Sequence, residues 1–293
     1  MQLSFDLLGN AVVSGLLLGG FYAGVTVGLT IVFGMLDIVN IAHPAFVLLG
    51  CYAAWSVNAA FGIDPLLTGL IAMPVFFVLG SAIYQLYHTA FERRGVALQG
   101  LAFFFGLLFV IEVGLVLGFG VDYRLVEAPY AQGALHLGTI ELPFRLLVPC
   151  AVSLAMIGVL ELFLVRSFTG RAILAVAQDP LALRLMAADP RHIRRIAFGI
   201  AIATTALAGA TLIVIQPVEP SIGRDYIGRV FAICVVGGLG SIRGTLLAAL
   251  ALGIIESMTA TFYGPSWSPA VAFGLLLAAL AVRPSGLLGR GQA

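Results

Sequence analysis

LLGNAVVSGLLLGGFYAGVTVGLTIVFGML, residues 7–36, contains no charged side chain. A helix needs about 20 mostly apolar residues to cross the hydrocarbon core of a bilayer, and this run is longer than that. The pattern recurs. Residues 38–63 (with one histidine), 65–87, 196–218 and 257–282 also lack Asp, Glu, Lys and Arg, and 97–121 and 146–165 are interrupted only by Glu112 and Glu161. Across the 293 residues 61% are hydrophobic and 10% charged, against roughly one quarter charged in a soluble domain. The expected fold is one all-α polytopic membrane bundle over residues 1–293, with eight or nine spans, some of them broken helices. The first run lacks a basic leader and is too long for a secretory signal core, so it reads as a retained helix.

Smaller features narrow the function. Cys51, Cys150 and Cys234 lie far apart in apolar runs, with no CxxC spacing and no Cys/His cluster to suggest a metal; they read as lipid-facing or packing residues. A formal charge of +1 gives no reason to expect nucleic acid. All fifteen basic residues are arginine. A P-loop needs a lysine for the β and γ phosphates, so ATP cannot be held by a Walker A motif here. GGLGSIRG, residues 237–244, has G-x-G-x-x-x-G spacing between hydrophobic spans and is not a dinucleotide loop. There is no HExxH, no GxSxG, and the histidines His43, His88, His136 and His192 are scattered, which speaks against an enzyme.

The arginines set the orientation. Arg93 with Arg94, an island at 166–195, Arg243, and Arg283 with Arg290 lie at span ends, and the positive-inside rule assigns such ends to the cytoplasm. Segments 122–145 and 219–229 then fall outside. Nine spans follow, near 8–34, 44–61, 65–88, 97–120, 143–165, 196–216, 227–241, 244–262 and 267–283, with the amino terminus outside. Asp37 to Pro44 reads either as a cytoplasmic turn or as a break within the membrane.

Six of the fifteen arginines sit in the island. Asp179-Pro180 and Asp189-Pro190 each place an N-cap side chain before a proline at the first helical position. The first helix carries Leu181, Leu185 and Ala188 on one side, with Leu183 and Met186 nearby and Arg184 in water. At about two turns it has too little apolar area to stand alone. It needs a surface to lie against, or else the island is only a loop whose arginines fix topology.

Three stretches, GLLLGGFYAGVTVGLTIVFGMLDIVNIAHPAFVLLGCY, GRAILAVAQDPLALRLMAADPRHIRRIAFGIA and VVGGLGSIRGTLLAALALGIIE with RPSGLLGR, together resemble the inner-membrane permease subunits of bacterial ABC importers for branched-chain amino acids and related amides or urea. The resemblance covers nearly the whole chain. It implies that the island is a coupling segment seating on an ATP-hydrolysing subunit, through Thr169, Gly170, Arg171, Ala172, Asp179, Pro180, Leu181, Arg184, Leu185, Ala188 and Asp189. It also implies a second homologous permease subunit, two ATP-binding subunits that hold ATP and Mg, a periplasmic solute-binding protein, and a place in the bacterial inner membrane. This chain itself is expected to bind no cofactor. His43 followed by Pro44 resembles the family's Asn-x-Ala-His-Gly segment, with proline in place of the usual glycine.

Polar groups inside lipid are costly and point to a role. Asn40, His43 and Glu112 are candidates for the solute pathway, or for bonds between helices; Glu256 and Glu161 are candidates for pairing. Used as proton carriers, Glu112 and Glu256 would instead make a proton-coupled secondary transporter. Gly20, Gly24 and Gly28 give the first span a flat face, for packing within the chain or against the second permease, and Gly114 with Gly118 and Gly240 with Gly244 repeat the spacing. Outer charges Asp122, Arg124, Glu127, Glu141, Arg145, Glu219, Arg224 and Asp225 are available to a docking partner or to water.

Overall fold

A computed structural model describes residues 5–91, 97–185, 188–282 and 286–288. Eleven helices account for most of them: α1 (Phe5–Leu36), α2 (His43–Phe61), α3 (Pro65–Ala90), α4 (Ala97–Phe119), α5 (Phe144–Arg166), α6 (Phe168–Val176), α7 (Pro180–Leu185), α8 (Pro190–Ile215), α9 (Gly223–Gly237), α10 (Ile242–Phe262) and α11 (Ser268–Val282). A small hairpin of β1 (Ala134–Leu137) and β2 (Ile140–Pro143) leads into α5. Among the described residues seven helices are long and apolar enough to span a membrane. The other two expected spans are α9 and α11, each of 15 residues. Arg93, Arg94, Arg283 and Arg290, used to orient the chain, lie outside the described residues, as does Met186.

Local chemistry sets the ends. Asp64 caps α3, its side chain accepting from the Leu66 and Leu67 amides at 2.8 and 3.3 Å, just before Pro65. Gly62, at φ 67°, closes α2 in the left-handed conformation. Asp37, at φ 57°, ends α1.

The chain then turns back on itself. His43 Nε2 donates to the Val25 carbonyl at 2.9 Å, eleven residues before the end of α1, which at 1.5 Å per residue is about 16 Å along the helix. Asp37 to Pro44 is therefore a break that folds back against α1, with Ile38, Asn40, Ala42 and His43 buried in the protein, and not a turn projecting from it. The same device recurs after α8. After α8, Val218 pairs with Arg124, and α9 begins at Gly223, where an added Cβ would meet Leu48 in α2.

Two halves result, α1–α4 and α8–α11, each a long helix, a break, a shorter helix and two more. With α5 and the island between them, α8 starts on the side where α1 ends, so the halves run in opposite senses, as in inverted-repeat transporters. They are interlocked. The longest α1 contact is with α10, and the longest α8 contact is with α3. Both α1 and α8 are buried over most of their length. At the α1–α10 seam a Cβ on Gly15 would lie 2.6 Å from the Ile254 Cα, and one on Gly19 would lie 2.6 Å from the Leu250 Cα. The backbones touch there.

The expected glycine face is also internal. Gly20 faces Cys150, Gly24 faces Ser153, and Gly28 faces Ala201, Thr204 and His43. Those three glycines bring α1 onto α2, α5 and α8 of the same chain, so they do not form a face toward a second permease. Gly240 and Gly244 sit against Gly34 and Gly237, whereas Gly114 and Gly118 have nothing within 4 Å among the described residues. All three cysteines are buried, which makes them packing residues and not lipid-facing ones.

Candidate functional site

Two regions carry unusual chemistry, one at the island and one within the bundle. At the island, α5 ends at Arg166 and Ser167 caps α6, its hydroxyl accepting from the Gly170 amide at 2.9 Å. Gly170 presses on the backbone of Phe163 and Leu164, so the turn has no room for a side chain. Ala172, Ile173 and Val176 face inward, Thr169 is half-buried, and Arg171 is exposed. Asp179 then caps α7 by accepting from the Leu181 amide at 2.8 Å, and Asp189 accepts from the Arg191 amide at 3.0 Å to start α8. Both Asp-Pro helix starts form as the sequence indicates.

The faces of α7 differ from expectation. Leu183 is the buried anchor, Ala188 is half-buried beyond the helix, and Leu181, Arg184 and Leu185 point away from the bundle. Leu181 is 65% and Leu185 84% exposed, and Phe168 on α6 is 78% exposed. Pro180 opens the helix. The helix α6 itself was missed in the sequence. Its signal is Ser167 at the cap followed by Ala172, Ile173 and Val176 at helical spacing.

Within the bundle every expected membrane glutamate meets an arginine from another helix. Glu112 in α4 takes two bonds from Arg224, Nη2 to Oε1 at 2.6 Å and Nε to Oε2 at 3.0 Å. Glu161 pairs with Arg243 at 2.6 Å. Glu256 in α10 takes Nε and Nη2 of Arg229 on the single oxygen Oε1, at 3.1 and 2.9 Å. Arg229 was expected outside the membrane. Its partner lets it sit within α9 with a side chain only 14% exposed, since a buried charge is tolerated when paired.

The three expected pathway residues are not gathered in one place. Asn40 and His43 are fully buried at the α1–α2 break, where both amide atoms of Asn40 and Nδ1 of His43 lack a hydrogen-bond partner among the described residues. Glu112 is held instead by Arg224, whose guanidinium also lies over the Phe109 ring. None of the three lines the polar cavity, of about 580 Å³, that opens between α1, α9 and α10. That cavity holds Arg229 and Glu256 with Tyr22, Gln216, Asp225 and Tyr226. Sequence reasoning passed over the tyrosines, whose polar tips inside apolar spans were the available signal.

Residues 11–280 match a protein family described as the permease component of the branched-chain amino acid transport system. The chain belongs to this family. The permease is 31% identical over 96% of its length to BraD, a high-affinity branched-chain amino acid transport system permease protein of Pseudomonas aeruginosa, of which it covers 95%. It is 27% identical to the Escherichia coli permease protein LivH, over 95% of this chain and 94% of LivH. It also matches E. coli LivM at 26% identity, over 89% of this chain and 66% of LivM. No solved structure matches the permease. The helical, multi-pass membrane character expected from the sequence and the family that its motifs resemble are both borne out.

Proposed function

We propose that the permease is one membrane subunit of an ATP-driven importer that admits a branched-chain amino acid, or a related small amino-acid-like solute, across the bacterial inner membrane. In this reading the 166–195 segment docks an ATP-binding subunit, which carries the ATP and Mg, and a periplasmic binding protein delivers the solute to the opposite face. The chain matches two distinct permease proteins of E. coli, LivH and LivM, whose names give one transport system. That match favours assembly with a second, homologous permease, two ATP-binding subunits completing the complex.

One observation carries the reading. Phe168, Leu181 and Leu185 are large apolar side chains turned away from the bundle on short, well-capped helices at its arginine-rich end. A six-residue helix cannot stabilise itself, and exposed apolar groups in such a cluster mark a protein contact. The rival, a proton-coupled carrier using Glu112 and Glu256, has less support. Both carboxylates are hydrogen-bonded by guanidinium groups, which do not release protons.

The test is co-purification of the ATP-binding subunits with Leu181→Arg/Leu185→Arg. Loss of the ATPases from a variant that still inserts and assembles its bundle supports docking, and undiminished co-purification refutes it. Leucine uptake that survives ATP depletion but collapses with a protonophore would instead favour the carrier.

A further inference from the structure

We infer that the Arg229–Glu256 pair is an open ion pair that binds the zwitterionic head of an α-amino acid in a cavity facing the extracytoplasmic side. The inference rests on the transport reading above and locates a solute site within it.

The two ion pairs made from α9 differ in one respect that matters. Arg224 meets Glu112 fork to fork, two nitrogens on two oxygens, and the carboxylate is fully used. Arg229 puts Nε and Nη2 on the single oxygen Oε1 of Glu256. Glu256 is 4% exposed, and its Oε2 accepts no well-formed hydrogen bond among the described residues, with the neutral Tyr22 hydroxyl as the neighbouring donor beside the carboxylate. An anionic oxygen left so in a low-dielectric bundle is expensive. It calls for a cationic donor. Arg229 is also incomplete. Its third bond goes from Nη1 to the Asp225 carbonyl at 3.2 Å, and a guanidinium has five N–H groups, so donors remain beside the orphaned acceptor.

A free acceptor next to free cationic donors complements an ammonium and a carboxylate on one carbon. The surroundings fit the rest of such a molecule. The cavity, of about 580 Å³, has Leu18, Leu146 and Ile222 in its wall to take an aliphatic side chain, and Gln216 Nε2 donates to the Tyr226 hydroxyl at 3.1 Å, fixing that ring at the edge of the pair. Its direction follows from connectivity. Leu146 lies at the start of α5, Ser268 begins α11, and Gln216 follows the end of α8; all three ends are opposite the arginine-rich island. The pair already satisfies half of itself, so the solute adds only the remaining bonds. Weak, reversible occupancy suits a path that must also release.

The experiment uses right-side-out vesicles from cells producing the whole importer, with Ala260→Cys placed in the cavity wall and an impermeant maleimide as reagent. Leucine should slow labelling severalfold. 4-Methylpentanoate, which lacks the ammonium, should not. Adding Glu256→Gln, which keeps an acceptor for Arg229 but removes the charge, should abolish that protection and reduce leucine uptake about tenfold, the loss expected for one charge-assisted contact. Equal labelling with and without leucine in vesicles that take up leucine overturns the inference, as does equal protection by 4-methylpentanoate. Protection without any leucine uptake would instead overturn the transport reading and leave the site standing. Should Glu256→Gln fail to assemble, the leucine-against-4-methylpentanoate comparison in Ala260→Cys alone decides.

Discussion

Arg224, at the start of α9, grips both carboxylate oxygens of Glu112 in α4, at 2.6 and 3.0 Å, and so ties the break after α8 to a helix of the other half. Removing one partner leaves the other charge uncompensated. Glu112→Leu should destabilise the permease by less than the about 3–5 kcal/mol of a fully buried pair, because the Arg224 side chain is 53% exposed. Glu112→Leu/Arg224→Leu should be more stable than Glu112→Leu alone. Thermal unfolding in detergent for the two singles and the double checks this, and equal melting of the single and the double would refute it.

At Gly15 and Gly19 the α1–α10 seam leaves no space for a side chain. Gly19→Leu should cost about 1–3 kcal/mol or more by overpacking, because the neighbouring atoms belong to the Leu250 and Ala249 backbone and cannot swing aside. Gly118→Leu, where nothing lies within 4 Å among the described residues, should leave the isolated permease's stability unchanged. Monodispersity and melting temperature, measured side by side, discriminate the two.

Leu183 and Leu185 are two residues apart with opposite exposures, 7% and 84%. Leu183→Ala should loosen the island by about 2 kcal/mol or more, the usual cost of an emptied leucine site, and show as faster proteolysis after residue 176. Leu185→Ala should leave proteolysis unchanged yet lower the ATPase activity of the assembled importer.

At the α1–α2 break the Asn40 amide is buried, with both polar atoms lacking a hydrogen-bond partner among the described residues. Replacing an unsatisfied buried amide with an apolar group of similar size relieves its desolvation cost. Asn40→Leu should therefore melt at the same temperature as wild type or higher, while solute uptake falls if the break lines the path. Lower stability would show that the amide has partners that matter to the fold.

Orientation has its own check. A cysteine at Leu185 should label only from the cytoplasmic side, and one at Leu135 in the β-hairpin only from outside; both positions are exposed. The reverse result would overturn the whole arrangement.

Much of this architecture was legible in the residues. Long apolar runs set α1, α3 and α8 to within a few residues, since lipid thickness demands a helix of fixed length, and the Asp-Pro pairs marked the starts of α7 and α8. Arg229 misled because charge alone places an arginine in water, and its partner Glu256 lies 27 residues away on another helix. Glu112 was visible as an oddity, but its partner Arg224 was not. Nothing local in the chain tells which oxygen a distant guanidinium will choose, and the open pair depends on that choice. Gly20, Gly24 and Gly28 announced a close approach without saying whose backbone would fill it.

The crossed pairing of α1 with α10 and of α8 with α3 has a consequence for biogenesis. A ribosome delivers α1 to the bilayer long before Gly253 has been synthesised, so a helix that is largely enclosed in the finished protein must first wait among lipids, its glycine groove lined by acyl chains. Chains halted before α10 should insert yet remain targets for quality-control proteases, and only completion of the last quarter lets the two halves clasp.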